Sequence, residues 1–211
     1  MKKLIAILLA AMLLVSLTAC GGAQEEEKYV VGICQLIKHD ALDAATQGFM
    51  DALKEALGDR VEFKLENAAG DSNTCSTIVN TFVNDNVDLI LANATPALQA
   101  AASATGEIPI LGTSITEYGV ALEIEGFNGT VGGNISGTSD LAPLDEQAAM
   151  LMELFPDAKN VGLLYCSAEA NSTYQVETVK KELEGKGIAC TLYPFADTND
   201  LQAVVQKAAD T

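Results

Sequence analysis

The chain has 211 residues, with 29 acidic against 12 basic side chains and one histidine, a formal charge of −17. So negative a surface excludes a nucleic-acid binder, which needs basic patches against phosphate, and argues against wide contact with anionic lipid. Hydrophobic residues make up 49% of the chain and aromatics 5%, with no Trp, a composition suited to an Ala/Leu/Val core of helices packed on sheets.

Lys2 and Lys3 precede an apolar run from Leu4 to Val15 that closes on Leu17-Thr18-Ala19-Cys20. A positive end, a short apolar core and small residues before a cut are the marks of an export signal. The core is too short for a finished membrane-spanning helix, which needs ~20 apolar residues. The small residues ahead of the cysteine resemble the lipobox of bacterial lipoproteins. That resemblance implies cleavage before Cys20, a lipid on its sulfur, and a soluble domain tethered to the outer face of the cell membrane. The alternative is an ordinary signal peptide with an incidental cysteine. Losing Lys2 and Lys3 with residues 1–20 takes the formal charge from −17 to −19, which for an exported protein serves solubility. Residues 21–28, small and then Glu25-Glu26-Glu27, read as a solvated tether.

From Tyr29 onward the chain alternates short apolar runs with helical periodicity, the pattern of a parallel sheet covered by helices. Tyr29 to Leu36 is a predicted strand. Asp40 to Leu57 is a predicted helix, with Leu42, Ala45, Phe49, Leu53 and Ala56 on one face. Val61 to Leu65 is a strand, and Asp71 or Ser72 caps a helix running to about Val83. Val87 to Leu91, Pro96 to Thr105 and Ile108 to Gly112 continue as strand, helix and strand. Residues 29–117 thus form one doubly wound α/β lobe. Glycines crowd the next stretch (Gly126, Gly129, Gly132, Gly133, Gly137), and residues 118–142 are expected to cross out of that lobe as short strands forming a hinge. A second lobe, 143–211, repeats the rhythm. It has helices at Leu144 to Leu154, Thr173 to Glu184 and Leu201 to Ala209, and strands at Val161 to Cys166 and Ile188 to Phe195. Two strands fall short of the usual four to six, so the second lobe is expected to be incomplete, the chain ending inside or just after a helix.

Ligands of open α/β sheets bind beyond the carboxyl ends of the strands, and two strand-to-helix turns there draw attention. After Ala92 comes Asn93-Ala94-Thr95-Pro96-Ala97-Leu98, in which Thr95 is a good N-cap and Pro96 suits the first helical position. Such an opening offers free N–H groups and a positive dipole end to a carboxylate, unless Thr95 merely caps its helix. The matching turn is Tyr165-Cys166-Ser167-Ala168-Glu169-Ala170-Asn171-Ser172, dense in small polar residues. Ser172 with Gln175 has capping-box spacing. Ser167, Glu169 and Asn171 can hydrogen-bond an amino-acid head group, with Glu169 the counter-charge for an ammonium, or the segment is simply a solvated loop. His39 opens a helix, as a surface or helix-start residue or as a cleft contact. Cys34, Cys75, Cys166 and Cys190 lie in or beside apolar segments at no zinc or redox spacing, and read as small hydrophobes.

Four segments occur in order: Gln35 to Gly48, Ala94-Thr95-Pro96-Ala97-Leu98-Gln99-Ala100, Gly137-Thr138-Ser139-Asp140, and Tyr165 to Ser172. Together they resemble the ABC-transporter substrate-binding lipoproteins of the tryptophan/tyrosine-binding type, over essentially the whole mature chain. The resemblance implies two lobes of the type I periplasmic-binding kind closing on a ligand, an aromatic amino acid, that passes to a membrane permease. It further implies that Thr95, Pro96 and Ala97 hold the carboxylate. Asp140 and Glu169 then meet the ammonium, Ser167, Ala168, Asn171 and Ser172 approach from the other lobe, and Leu36 and Leu42 line the side-chain pocket. Asp40 stands where the family usually has a proline after the histidine, which adds negative charge near the cleft mouth. No cofactor, metal or catalytic residue is expected, and the protein is expected to be monomeric. Competing readings are a binder of a nucleoside, sugar or other small ligand, the sensor ectodomain of a receptor, and an enzyme. The last lacks a Gly-x-Ser-x-Gly elbow and a phosphate loop, leaving Cys166 as its one nucleophile position.

Overall fold

The computed structural model describes residues 28–210. The predicted signal, the predicted lipidation site Cys20 and nearly all of the predicted tether lie outside the described residues. Five parallel strands form the first sheet, in the order β2-β1-β3-β4-β5. They are β1 (Tyr29–Gln35), β2 (Val61–Asn67), β3 (Leu89–Asn93), β4 (Ile110–Ile115) and β5 (Ile135–Ser139). Helices α1 (Asp40–Leu57), α2 (Ser72–Asn84) and α3 (Thr95–Ala104) link the first four strands, and a short α4 (Tyr118–Ala121) follows β4. The second lobe contains α5 (Leu144–Leu154), β6 (Asn160–Cys166), α6 (Ala170–Gly185), β7 (Ala189–Phe195) and α7 (Thr198–Ala209). Strands β6 and β7 pair in parallel as a separate two-stranded sheet.

Local chemistry explains the helix ends. His39 is extended and its Nδ1 accepts from the Ala41 N–H at 3.2 Å, with Asp40 and Asp43 in the first turn of α1 and Lys54 in the last. This arrangement complements the helix dipole, and His39 is thereby a helix-start hydrogen-bonder. Asp71 caps α2 by accepting from the Thr74 N–H at 2.6 Å.

Strand alternation divides the first core. Cys34, Ile90 and Ala92 face α2 and α3 with Cys75, Val79, Phe82, Ala97 and Leu98. Val31, Ile33 and Leu91 face the other way, against Phe49, Met50 and Leu53 of α1. Among the described residues these two clusters hold 17 and three buried hydrophobic residues, against three in the second-lobe cluster, Ala148, Leu183 and Ile188. Each fully buried Leu, Ile or Phe is worth ~1.5–3 kcal/mol of transfer free energy, so the first lobe carries most of the hydrophobic stabilisation.

Several boundaries differ from the sequence reading for identifiable reasons. Part of segment 118–142, read as a crossover, is β5, the fifth strand of the first sheet. Its sequence, Ile-Ser-Gly-Thr-Ser, has no apolar alternation, and its placement depends on a close approach. Gly137 lies opposite Gly112 in the β4–β5 ladder, and a Cβ on Gly137 would overlap both the Gly112 carbonyl and the Tyr118 hydroxyl. That hydroxyl lies 3.1 Å from the Gly112 oxygen and 3.3 Å from the Thr138 oxygen, as donor, and so clamps the two strands. Pro143 is the N-cap of α5.

Candidate functional site

The carboxyl ends of β2, β3 and β4 carry a rim of unusual backbone. Ala69 follows β2 with φ 53, Ala94 follows β3 with φ 92, and Ser114 sits at an irregularity near the end of β4 with φ 56. At φ 92 and ψ 157 Ala94 occupies a region that is essentially glycine-only. Ala94, and not Thr95, is therefore the N-cap of α3; Thr95 is the first helical residue and Pro96 the second, and no side chain caps the helix. The extended turn at Ala94 tucks Thr95, Pro96 and Ala97 inward, where all three are buried. The Thr95 side chain, 2% exposed, has an Oγ1 with no hydrogen-bond partner.

In the second lobe α6 starts at Ala170, three residues earlier than predicted. The Ser172–Gln175 capping box is not formed. Ser172 lies inside the first turn and its hydroxyl donates to Glu169 Oε2 at 3.1 Å. Ser167 and Ala168 are exposed. The Ser167 backbone N–H donates to the Phe195 carbonyl at 2.8 Å, which ties this turn to β7. Asn171 is half-buried, yet its Oδ1 is shielded from solvent and has no partner.

A cavity of about 920 Å³ opens between the lobes. Leu36, Ile37 and Gly70 line it from the first lobe, and Glu169, Ser172 and Phe195 are among its second-lobe walls. Its described lining includes Glu169 and Asp197 but no Lys or Arg, so a cation suits it better than an anion. The structure therefore brings Leu36, Glu169 and Ser172 to one cavity. Thr95, Pro96, Ala97 and Leu42 do not line that cavity; Leu42 is half-buried and packs on the first-lobe core. Asp140 is exposed just after β5, with its N–H donating to the Ile115 carbonyl at 3.0 Å. Contacts nevertheless link the two turns through α4. Gln99 of α3 donates to the Ala121 carbonyl at 3.0 Å, and Ala170, Thr173 and Tyr174 of α6 border a groove with Val120 and Glu123.

Burial dominates the titration behaviour near the site. The Tyr118 phenol is pushed up to about 12 by burial and, secondarily, by Asp140. The Cys34 thiol is raised by its hydrogen bond to Cys75 and by burial, which makes it a poor nucleophile. All four described cysteines are free, with Cys166 and Cys190 half-buried. Among the described residues no cluster of three or more His, Cys, Asp or Glu is placed to hold a metal. No described helix is long and apolar enough to cross a membrane.

Sequence reasoning missed Ile37, Gly70 and Asp197 in the cavity wall, and it missed a buried polar trio, Gln35, Thr46 and Asn93. The available signal was a polar residue closing each of two apolar strands, Gln35 on β1 and Asn93 on β3.

A family model described as ABC transporter substrate binding protein matches residues 30–211. The chain is similar to a tyrosine-binding protein of Clostridioides difficile (strain R20291), 37% identical, over all of this chain and 61% of that protein. It is similar to the crystal structure of the ABC domain in complex with L-Trp from Streptococcus pneumonia. There the TM-score is 0.81 and the identity 31%, over 88% of this chain and 63% of that one. It is also similar to the ligand-free, open structure of a substrate binding protein with adhesive properties from Clostridium difficile. In that case the TM-score is 0.57 and the identity 33%, over 85% of this chain and 61% of that one. The chain thus spans about three fifths of the length of these relatives. The fold is that of the type I periplasmic binding proteins.

Proposed function

The chain belongs to the ABC transporter substrate-binding protein family, and on that premise we propose that it is the extracytoplasmic binding subunit of an importer, closing on an aromatic amino acid. The observation that carries this reading is that two of the three buried, unpartnered polar atoms among the described residues, the third being Asn93 Oδ1, lie on opposite lobes at helix starts. Thr95 Oγ1 sits at the amino end of α3 and Asn171 Oδ1 at the amino end of α6, both shielded from solvent without a partner. Each such group costs ~1–3 kcal/mol. A zwitterion supplies both donors and acceptors, so it relieves two lobes at once and favours the closed arrangement over the open one. The better superposition on the L-Trp complex than on the open, ligand-free structure, at nearly equal identity, supports the same arrangement.

In this reading the carboxylate lies against Thr95 Oγ1 and the free N–H groups at the start of α3, where the helix dipole favours an anion. Pro96 and Ala97 shape that end. Glu169, half-buried and already oriented by Ser172, is the main counter-charge for the ammonium, with the exposed Asp140 a longer-range one. Ser167, Ala168 and Asn171 close from the second lobe, and Leu36 and Leu42 pack the side chain. Residues 29–117 and 143–211 act as the two jaws, and 118–142 bends between them. A lipid on Cys20 tethers the protein outside the membrane beside its permease. Binding and release are the whole cycle, with no bond made or broken. The aromatic ligand rests on the printed names of the relatives, a tyrosine-binding protein and an L-Trp complex.

Calorimetric titration of the chain, stripped of any carried-over ligand, tests this with L-tyrosine, L-tryptophan and L-phenylalanine. Saturable binding to at least one is expected, weakened tenfold or more in Thr95→Val, as loss of one hydrogen bond to a charged group implies. Silence with all three, or a Thr95→Val variant that binds like the parent, would refute the assignment.

A further inference from the structure

Five described polar side chains are buried, and three of them, Gln35 (4% exposed), Thr46 (3%) and Asn93 (0%), hydrogen-bond to one another. We propose that this trio is a positioning relay for the binding cleft, fixing the β1–α1 turn and the β2–α2 turn against the end of β3 so that the first-lobe wall is formed before ligand arrives. The inference rests on the cleft's being the ligand site.

The relay has a fixed direction. Asn93 Nδ2 donates to the Leu42 carbonyl at 2.9 Å and to Thr46 Oγ1 at 2.9 Å. Thr46 Oγ1 in turn donates to Gln35 Oε1 at 2.7 Å. Gln35 Nε2 then donates to the Ile37 carbonyl at 2.8 Å and to Asp43 Oδ1 at 2.6 Å. Both amides use both hydrogens while Asn93 Oδ1 is left without a partner, and a flip of either amide would set oxygen against oxygen. The buried network therefore holds one geometry.

Its position makes that geometry matter. Gln35 and Asn93 are register partners at the carboxyl ends of two adjacent inner strands, β1 and β3. The backbone adds three ties at the same residues. Leu36 N–H donates to the Asn93 carbonyl at 3.2 Å, Ala68 N–H to the Gln35 carbonyl at 2.9 Å, and Gly70 N–H to the Leu36 carbonyl at 2.8 Å. Leu36, Ile37 and Gly70 are the cleft-lining residues that hang from these bonds. Apolar side chains of similar volume would fill the same space without desolvating three polar groups. What the polar trio adds is direction, held even though the buried Asn93 Oδ1 has no partner.

Thr46→Val removes the central hydroxyl at nearly constant volume, and Thr46→Ser restores it. Hydrogen exchange followed by mass spectrometry is the first readout. Thr46→Val should speed exchange about tenfold, on the scale of one or two lost hydrogen bonds, in peptides covering 36–45 and 68–70. Peptides covering β6 and β7 should be unchanged, and Thr46→Ser should match the parent. The second readout is affinity for L-tyrosine or L-tryptophan at a temperature well below unfolding, with Thr46→Val weaker by about tenfold and Thr46→Ser restored. Uniformly faster exchange, or unchanged exchange in 36–45, overturns the relay, as does equal affinity loss in both variants. Should the parent bind neither amino acid, the ligand assignment falls while the exchange pattern still decides the relay. If Thr46→Val does not fold, Gln35→Met makes the same cut from the β1 side and is read the same way.

Discussion

Replacing Tyr118 by phenylalanine removes one buried hydroxyl from the β4–β5 clamp and leaves the ring in place. Its hydroxyl lies within donating distance of the Gly112 and Thr138 carbonyls, so at neutral pH Tyr118→Phe should cost about 1 kcal/mol, the net worth of one such bond. Alkaline pH should reverse the order. The folded-state phenol titrates at about 12 against an ordinary 10, so unfolding releases the proton more readily than the native state does. The stability that comes from keeping the phenol neutral is complete below pH 10 and is lost between 10 and 12. At pH 11 the loss is about 1.4 kcal/mol, one pH unit of differential ionisation. The phenylalanine variant has no such loss, because every other titrating group is common to both proteins. The two stability curves should therefore cross near pH 11. Urea unfolding followed by far-ultraviolet circular dichroism at pH 7, 9, 10, 11 and 12 measures this directly. Curves that stay parallel across the series would refute the burial of the phenol, and equal stability at pH 7 would refute its role as a clamp.

Two other outcomes follow from the same structure. Gly137→Ala places a methyl group against the Gly112 carbonyl and the Tyr118 hydroxyl. It should detach β5, seen as lower thermal stability and faster amide exchange in 135–139; an alanine variant with parental exchange there would contradict the close approach. Asp71 accepts from the Thr74 N–H, which holds its carboxyl below the usual range. Its contribution is present above the unfolded value and lost as pH falls through the folded one. The gap in thermal midpoint between parent and Asp71→Ala at pH 7 should accordingly narrow at pH 3, as scanning calorimetry would detect.

Where the sequence carried local instructions, the structure was legible in it. Helices Asp40–Leu57 and Leu144–Leu154 end where read, because apolar spacing and flanking residues agreed. The parallel α/β class was readable from the alternation alone, whereas the family depended on four ordered segments. What escaped was set by distant partners. β5 depends on the fit of Gly137 to Gly112 and Tyr118, which no local pattern announces. The start of α6 moved to Ala170 because Glu169 takes the N-cap position, with Ser172 bonded to it from inside the first turn. Thr95 yielded the cap position to Ala94, whose backbone is one that propensity rules reserve for glycine. The polar trio joins residues from three separate elements, so its members look like isolated polar intrusions in apolar runs.

The alanine at position 94 has a consequence for anyone redesigning this protein. Glycine adopts φ 92 freely, so Ala94→Gly would release ~1–3 kcal/mol of conformational tension. The same exchange would loosen the residue that aims the opening turn of α3. A thermostability screen would reward that variant while ligand capture suffered, so hardiness and function would be selected in opposite directions at a single methyl group.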